Sequence, residues 1–155
     1  KRGRIQGMTF MSADKRLSFI DTNILVYAHD NSTGKKHDLA CDLIDGLQLN
    51  KACYSSIQVM QEFHVTITQK IKRPITIDQS LAILLDLSNW TIHSPGIDDV
   101  FAAIAIQQRY KLSYWDAMII QSAHACGCKV IYSEDLNPGE EIEGMKIVNP
   151  FLAAD

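Results

Sequence analysis

The chain has 155 residues, 46% of them hydrophobic and 21% charged, with a formal net charge of -3. That length suits one domain with a real core, and the composition excludes a disordered or fibrous chain. The acidic balance excludes a broad basic face for nucleic acid, so any such contact must be local.

Lys1, Arg2 and Arg4 crowd the first positions; taking their three charges from -3 leaves a body of net charge -6. Residues 1–15 show no helical or alternating pattern. They are set apart as an N-terminal extension, an appended or disordered segment, with 16–155 as a single domain. The opening is too polar for a secretory signal. The longest apolar run, 100–106, is too short to span a bilayer. Cys41, Cys53, Cys126 and Cys128 are irregularly spaced in apolar surroundings, which reads as reduced thiols in a cytoplasmic protein.

In chain order, residues 17–20 form a short apolar run ending at Asp21 and read as a buried strand. A short helix begins at 24–27, and 35–49 carry a helical apolar pattern. Cys53 and Tyr54 suggest a second strand. Ser55 with Gln58 resembles a capping box that opens a long helix to about residue 71, along which Val59, Phe63 and Ile67 should face the core. Pro74 stops that helix. Thr76 with Gln79 predicts another capped helix through 88, and 90–93 a strand. Asp98 or Asp99 caps a helix to about 110. Ser113 opens the next, which Gly127 ends. Residues 129–132 form a strand before Ser133-Glu134-Asp135, and 146–148 a last, edge strand. The alternation predicts an α/β fold of three layers, with a mostly parallel central sheet of about four to five strands flanked by helices.

In such sheets ligands bind beyond the carboxyl ends of the strands, where the strand order reverses. That rule singles out Asp21 and Asp135, which follow two of the strands. Each candidate acid also has a plain structural reading. Asp21 suits a helix N-cap. Glu62 borders the apolar stripe of its helix and reads equally as a solvated flank residue. Asp116 completes a capping pattern with Ser113. Asp135 sits beside Glu134 in a loop, and either could point inward. Asn23 is a turn residue or a donor that orients carboxylates.

Together these segments resemble a family. Phe19-Ile20-Asp21-Thr22-Asn23-Ile24-Leu25 is similar to the opening motif of PIN domains. Gln58-Val59-Met60-Gln61-Glu62-Phe63 resembles their second acidic motif, Leu112-Ser113-Tyr114-Trp115-Asp116-Ala117-Met118-Ile119 the third, and Tyr132-Ser133-Glu134-Asp135-Leu136 the fourth. Asn149-Pro150-Phe151 resembles the close of the domain. The resemblance runs from about residue 17 to 151 and extends to the VapC-type toxins of bacterial toxin–antitoxin pairs. It implies a metal site of Asp21, Glu62, Asp116 and Asp135, favours Asp135 over Glu134, and gives Asn23 and Ser133 supporting roles. It further implies an RNA substrate, a homodimer and a cognate antitoxin that blocks the acidic pocket. The apolar residues of helices 35–49 and 56–71 could supply a dimer face or ordinary core.

The chemistry agrees with the residue types. Clustered carboxylates are hard oxygen ligands suited to Mg²⁺ or Mn²⁺. Such an ion makes a histidine base unnecessary for phosphodiester hydrolysis. The expected activity is therefore metal-dependent endoribonuclease cleavage leaving 5′-phosphate and 3′-hydroxyl ends. Lys35, Lys36, Lys70, Lys72, Arg73, Arg109 and Lys111 are candidates for holding phosphates at the rim. Two rivals stand beside this reading. A catalytically silent PIN-like domain binding RNA or protein would be expected to lack one of the acids. A phosphoacceptor receiver domain would need paired acids at the first strand, where Asp21 stands alone. Neither a Gly-x-Gly-x-x-Gly nor an Asp-x-Asp motif follows that strand, so dinucleotide-binding and dehalogenase-type readings fail.

Overall fold

The computed structural model of the protein describes residues 16–152; the proposed N-terminal extension, 1–15, lies outside them. The strands are β1 Ser18–Ile20, β2 Cys53–Ser56, β3 Thr91–His93, β4 Val130–Tyr132, β5 Glu141–Ile142 and β6 Met145–Val148. The helices are α1 Thr22–Ala28, α2 Lys35–Leu49, α3 Ile57–Val65, α4 Ile77–Leu87, α5 Ile97–Tyr110 and α6 Tyr114–Ala125. A π-helical turn, Thr66–Lys70, prolongs α3.

The sheet runs β3-β2-β1-β4-β6-β5. Every neighbouring pair is parallel except β5 with β6. All three residues of β1 are buried, as expected of a central parallel strand covered on both faces. From β1 the chain moves outward through β2 and β3, then crosses back to place β4 on the other side of β1. The strand order therefore reverses between β1 and β4, and Asp21 and Ser133 leave these two strands at the same edge. A backbone bond from Asp21 N–H to the Tyr132 carbonyl, 3.0 Å, continues their pairing to that edge.

The predicted apolar stripe of α3 lies in the core: Val59, Phe63 and Ile67 are fully buried. The Thr76 and Gln79 capping box is present, Ser113 caps α6, and Gly127 takes a positive φ of 75° just beyond that helix. Four local expectations are corrected. The sheet has six strands, because β5 is a two-residue element too short to show any periodicity. It pairs with β6 across a Glu143-Gly144 turn, both residues at positive φ, so β6 is not the edge. The cap of α3 is Ser56, whose hydroxyl accepts from Val59 N–H; the Ser55 hydroxyl instead donates to the Ile20 carbonyl at 3.0 Å, tying β2 to β1. This shift by one residue breaks the expected box with Gln58. On α5 neither Asp98 nor Asp99 is the cap. Gly96 is, and Asp99 reaches back to accept from its N–H at 2.8 Å.

No helix of the described residues is long and apolar enough to cross a membrane. The four cysteines form no disulfide, and burial pushes the thiols of Cys53 and Cys128 up to about 12. Phe63 is the largest apolar anchor of α3. Phe63→Ala should therefore lower unfolding free energy by about 3–5 kcal/mol, whereas Thr76→Ala, which removes one exposed cap, should cost about 1 kcal/mol. Urea denaturation of both variants checks that order.

Candidate active site

Asp21 occupies the gap between β1 and α1. It is 6% exposed. Its Oδ1 accepts from Thr22 N–H at 2.8 Å and its Oδ2 from the Ser133 hydroxyl at 2.7 Å. Ser133 is fully buried, and the same hydroxyl oxygen accepts from Asp135 N–H at 3.1 Å. One serine thus orients Asp21 and folds the loop that carries Asp135. Such a turn is a local side-chain substitute for backbone pairing.

The next two residues hold two other carboxylates. Thr22 Oγ1 donates to Glu62 Oε1 at 2.7 Å, joining α1 to α3. Asn23 Nδ2 donates to Asp135 Oδ2 at 2.9 Å, while Asn23 Oδ1 accepts from Glu134 N–H at 3.1 Å. Both ends of the Asn23 amide are therefore engaged with one loop. Glu62 has a second neighbour in Gln58, one turn earlier, whose Nε2 lies 3.4 Å from Glu62 Oε2 and 3.2 Å from the Trp115 carbonyl. That contact ties α3 to the first turn of α6, where Asp116 stands with its N–H donating to Ser113 Oγ at 3.1 Å.

The oxygens of Glu134 have partners of their own. The Tyr27 hydroxyl donates to it at 2.6 Å, and Lys36 forms an ion pair with its other oxygen. The Lys36 ammonium also lies over the rings of Tyr27 and Phe151. The bond to Glu134 holds the Lys36 ammonium above its usual range.

The electrostatics link the four acids. Burial pushes the Asp21 carboxyl up to about 6; the Ser133 and Thr22 bonds oppose this, and the charges of Asp135 and Glu62 add to it. Burial likewise raises Asp116, against the Ser113 bond and with the charges of Asp135 and Glu62. Asp21 and Asp116, on different elements, therefore both feel Glu62 and Asp135. Among the described residues no three His, Cys, Asp or Glu side chains close into a ready-made metal cage. Asp21, Glu62 and Asp135 are each held by a donor of their own instead. The donor set still fits a hard divalent cation: four oxygen-bearing acids, of which Asp21 and Asp116 are partly deprived of water and feel the charges of the other two.

The sequence profile of the PIN domain matches residues 18–138. The chain belongs to the PIN domain family. The fold of this PIN domain is similar to a toxin–antitoxin complex from Klebsiella pneumoniae, at TM-score 0.63 and 22% identity, over 86% of this chain and 97% of that one. It is similar to VapC20 of Mycobacterium tuberculosis, described as a sarcin-ricin loop cleaving toxin, at TM-score 0.61 and 16% identity, over 76% and 89%. A third likeness is VapBC2 from Rickettsia felis bound to a promoter DNA fragment, at TM-score 0.59 and 16% identity, over 84% and 96%. No curated protein sequence matches the chain.

The PIN domain's site holds residues that sequence reasoning missed. Thr22 lies between two residues it did single out, and its partner is 40 positions away. Gln58 was read as half of a helix cap, and Tyr27 and Lys36 gave no signal that they would occupy Glu134. The raised carboxyl of Asp21 makes folding take up a proton between the ordinary carboxylate range and about pH 6. Stability therefore falls as pH rises through that window. Asp21→Asn keeps a capping side chain and removes the charge. Without divalent metal it should stabilise the protein at pH 7.5 by on the order of 1–3 kcal/mol, with the gain vanishing toward pH 4. Chemical denaturation across that range is the check; a gain independent of pH would contradict the burial of this charge.

Proposed function

We propose that this PIN domain is a metal-dependent endoribonuclease that hydrolyses RNA to 5′-phosphate and 3′-hydroxyl ends. The observation that carries the proposal is the gathering of four carboxylates from four separate segments at the β1 and β4 edge. Asp21, Glu62, Asp116 and Asp135 are the catalytic and metal-holding residues of this reading. Asn23 and Ser133 are positioning residues, and the geometry adds Thr22 and Gln58. When bound, Mg²⁺ or Mn²⁺ supplies Lewis acidity at the phosphate and lowers the pKa of water.

The chain's own residues prepare the site. Ser133 and Thr22 keep Asp21 aimed at the strand edge, Thr22 and Gln58 hold Glu62, and Asn23 holds Asp135. Rigid carboxylates of this kind need little reorganisation when charge develops on a phosphate. Three of the five histidines bond elsewhere, His29 to the Leu25 carbonyl, His37 to the Tyr27 carbonyl and His64 to Ser80, and His93 lies 3.6 Å from Asp99. This supports hydrolysis over histidine-driven transfer through a 2′-hydroxyl.

The role of toxin in a toxin–antitoxin pair, acting in the cytoplasm with a cognate antitoxin, belongs to the same reading. Its support is the likeness in fold to the Klebsiella toxin–antitoxin complex and the Mycobacterium toxin. A homodimer is proposed with it. The apolar residues of α2 and α3 mostly enter the core; Ile77, Leu81 and Leu85, one exposed stripe along α4, are a better candidate face.

Incubation of total cellular RNA with the protein, with 5′ ends mapped, tests the activity. Discrete 5′-phosphate ends should arise with Mg²⁺ or Mn²⁺ and disappear with chelator. Loss of a supporting partner at a metal centre commonly costs about 10–100-fold, so Asp116→Asn should cost at least about 100-fold while leaving the fold intact. Cleavage by Asp116→Asn at the wild-type rate would overturn the assignment.

A further inference from the structure

A cavity of about 660 Å³ opens directly beside Glu62 and Asp135, between α1, α3 and the π turn. Its volume lies within the roughly 300–1,000 Å³ typical of small-molecule sites. Val26, Tyr27 and Val65 give it apolar walls, and Lys70 stands on its rim. Lys70 makes no ion pair among the described residues, whereas Lys36, the other cation near the site, is committed to Glu134. Lys70 is therefore a free positive charge on the wall of an otherwise acidic hollow.

Its position follows from the helix. Glu62, Thr66 and Lys70 recur at i, i+4 and i+8 and all line the cavity. Glu62 stands on the α-helical part and Lys70 ends the π turn, so the cation lies about two turns further along the same wall. The segment that carries it is the π turn, closed by Ile71 N–H to the Thr66 carbonyl at 3.2 Å. Such turns are rare and recur at functional sites.

We propose that this cavity is a nucleotide subsite: it takes the base and sugar next to the phosphate being cleaved, with Lys70 on a neighbouring phosphate of the same strand. The inference rests on the ribonuclease reading above. The charge order selects the occupant. A single strand presents anionic groups at intervals, one to the carboxylate centre with its cation and another to Lys70. An arginine-bearing peptide laid along the cavity would match the acidic end and meet Lys70 with like charge.

Steady-state cleavage of a 5′-labelled oligonucleotide spanning a mapped site tests it. Lys70→Glu should raise KM about tenfold with kcat within about twofold of wild type. Lys70→Arg should restore KM to within about twofold. Lys51→Glu, a charge reversal preceding β2 at the opposite end of the sheet, should change neither. Binding of a fluorescent single-stranded RNA to the Asp116→Asn protein in Mg²⁺ reads the subsite without turnover. Adding Lys70→Glu should weaken that binding about tenfold, and the slope against salt should fall by about 0.7, one phosphate contact on a single strand. Equal effects of Lys70→Glu and Lys51→Glu would overturn the subsite, as would unchanged KM and binding. So would tighter binding of a synthetic arginine-bearing helical peptide to the Lys70→Glu protein with RNA binding intact, which would assign the cavity to a protein partner. A wild-type protein that binds the RNA through Lys70 yet cleaves none would sink the nuclease reading and leave the subsite standing.

Discussion

Repulsion among four carboxylates, confined at one edge of a parallel sheet, is the constraint around which the structure is arranged. Asp21 and Asp116 are raised by burial and by the charges of Glu62 and Asp135. Such a cluster would splay apart if its members were free to turn. The two residues that follow Asp21 restrain two of the others. Asp21 is itself one of the acids, Thr22 donates to Glu62, and Asn23 donates to Asp135. Ser133 closes the set by donating to Asp21 from the end of β4. Hydrogen bonds to ionised groups are the strong ones, and here they connect segments 40 to 112 residues apart in sequence.

The sheet order makes that arrangement possible. Because the chain crosses back over β1 to form β4, the two strand ends that carry Asp21 and Ser133 are neighbours. The helices after β1 and β2 then bring Thr22 and Glu62 within hydrogen-bond reach. Tyr27 and Lys36 take up the two oxygens of Glu134, which lines the same cavity as Glu62 and Asp135. The position of Phe151 beside Tyr27, ring centroids 5.1 Å apart, ties the end of the described chain to the same support.

Much of this was legible in the sequence because it is written locally. A buried strand before Asp21, the Val59, Phe63 and Ile67 stripe, and the Ser113 cap all depend on residues within a few positions of one another. They predicted the fold class and marked where each acid stands. What escaped depends on contacts between distant segments. Thr22 and Gln58 act on Glu62 only once α1, α3 and α6 are packed. Ser55 and Ser56 are both good caps, and the choice between them is made by the Ile20 carbonyl on the neighbouring strand. The π turn carries no residue type that distinguishes it from the α-helix it prolongs, and β5 is held by its hairpin partner alone.

If the carboxylates form one cation site, their repulsion is relieved on binding and the folded state gains stability by mass action, about 2.7 kcal/mol at a hundredfold excess over the dissociation constant. Melting of the wild-type protein and of an Asp21→Asn, Asp116→Asn double variant across a Mn²⁺ titration measures this directly. The account predicts a saturable rise in the melting temperature of the wild type and little or none in the variant. An identical response of the two proteins, or none in either at saturating metal, would contradict it.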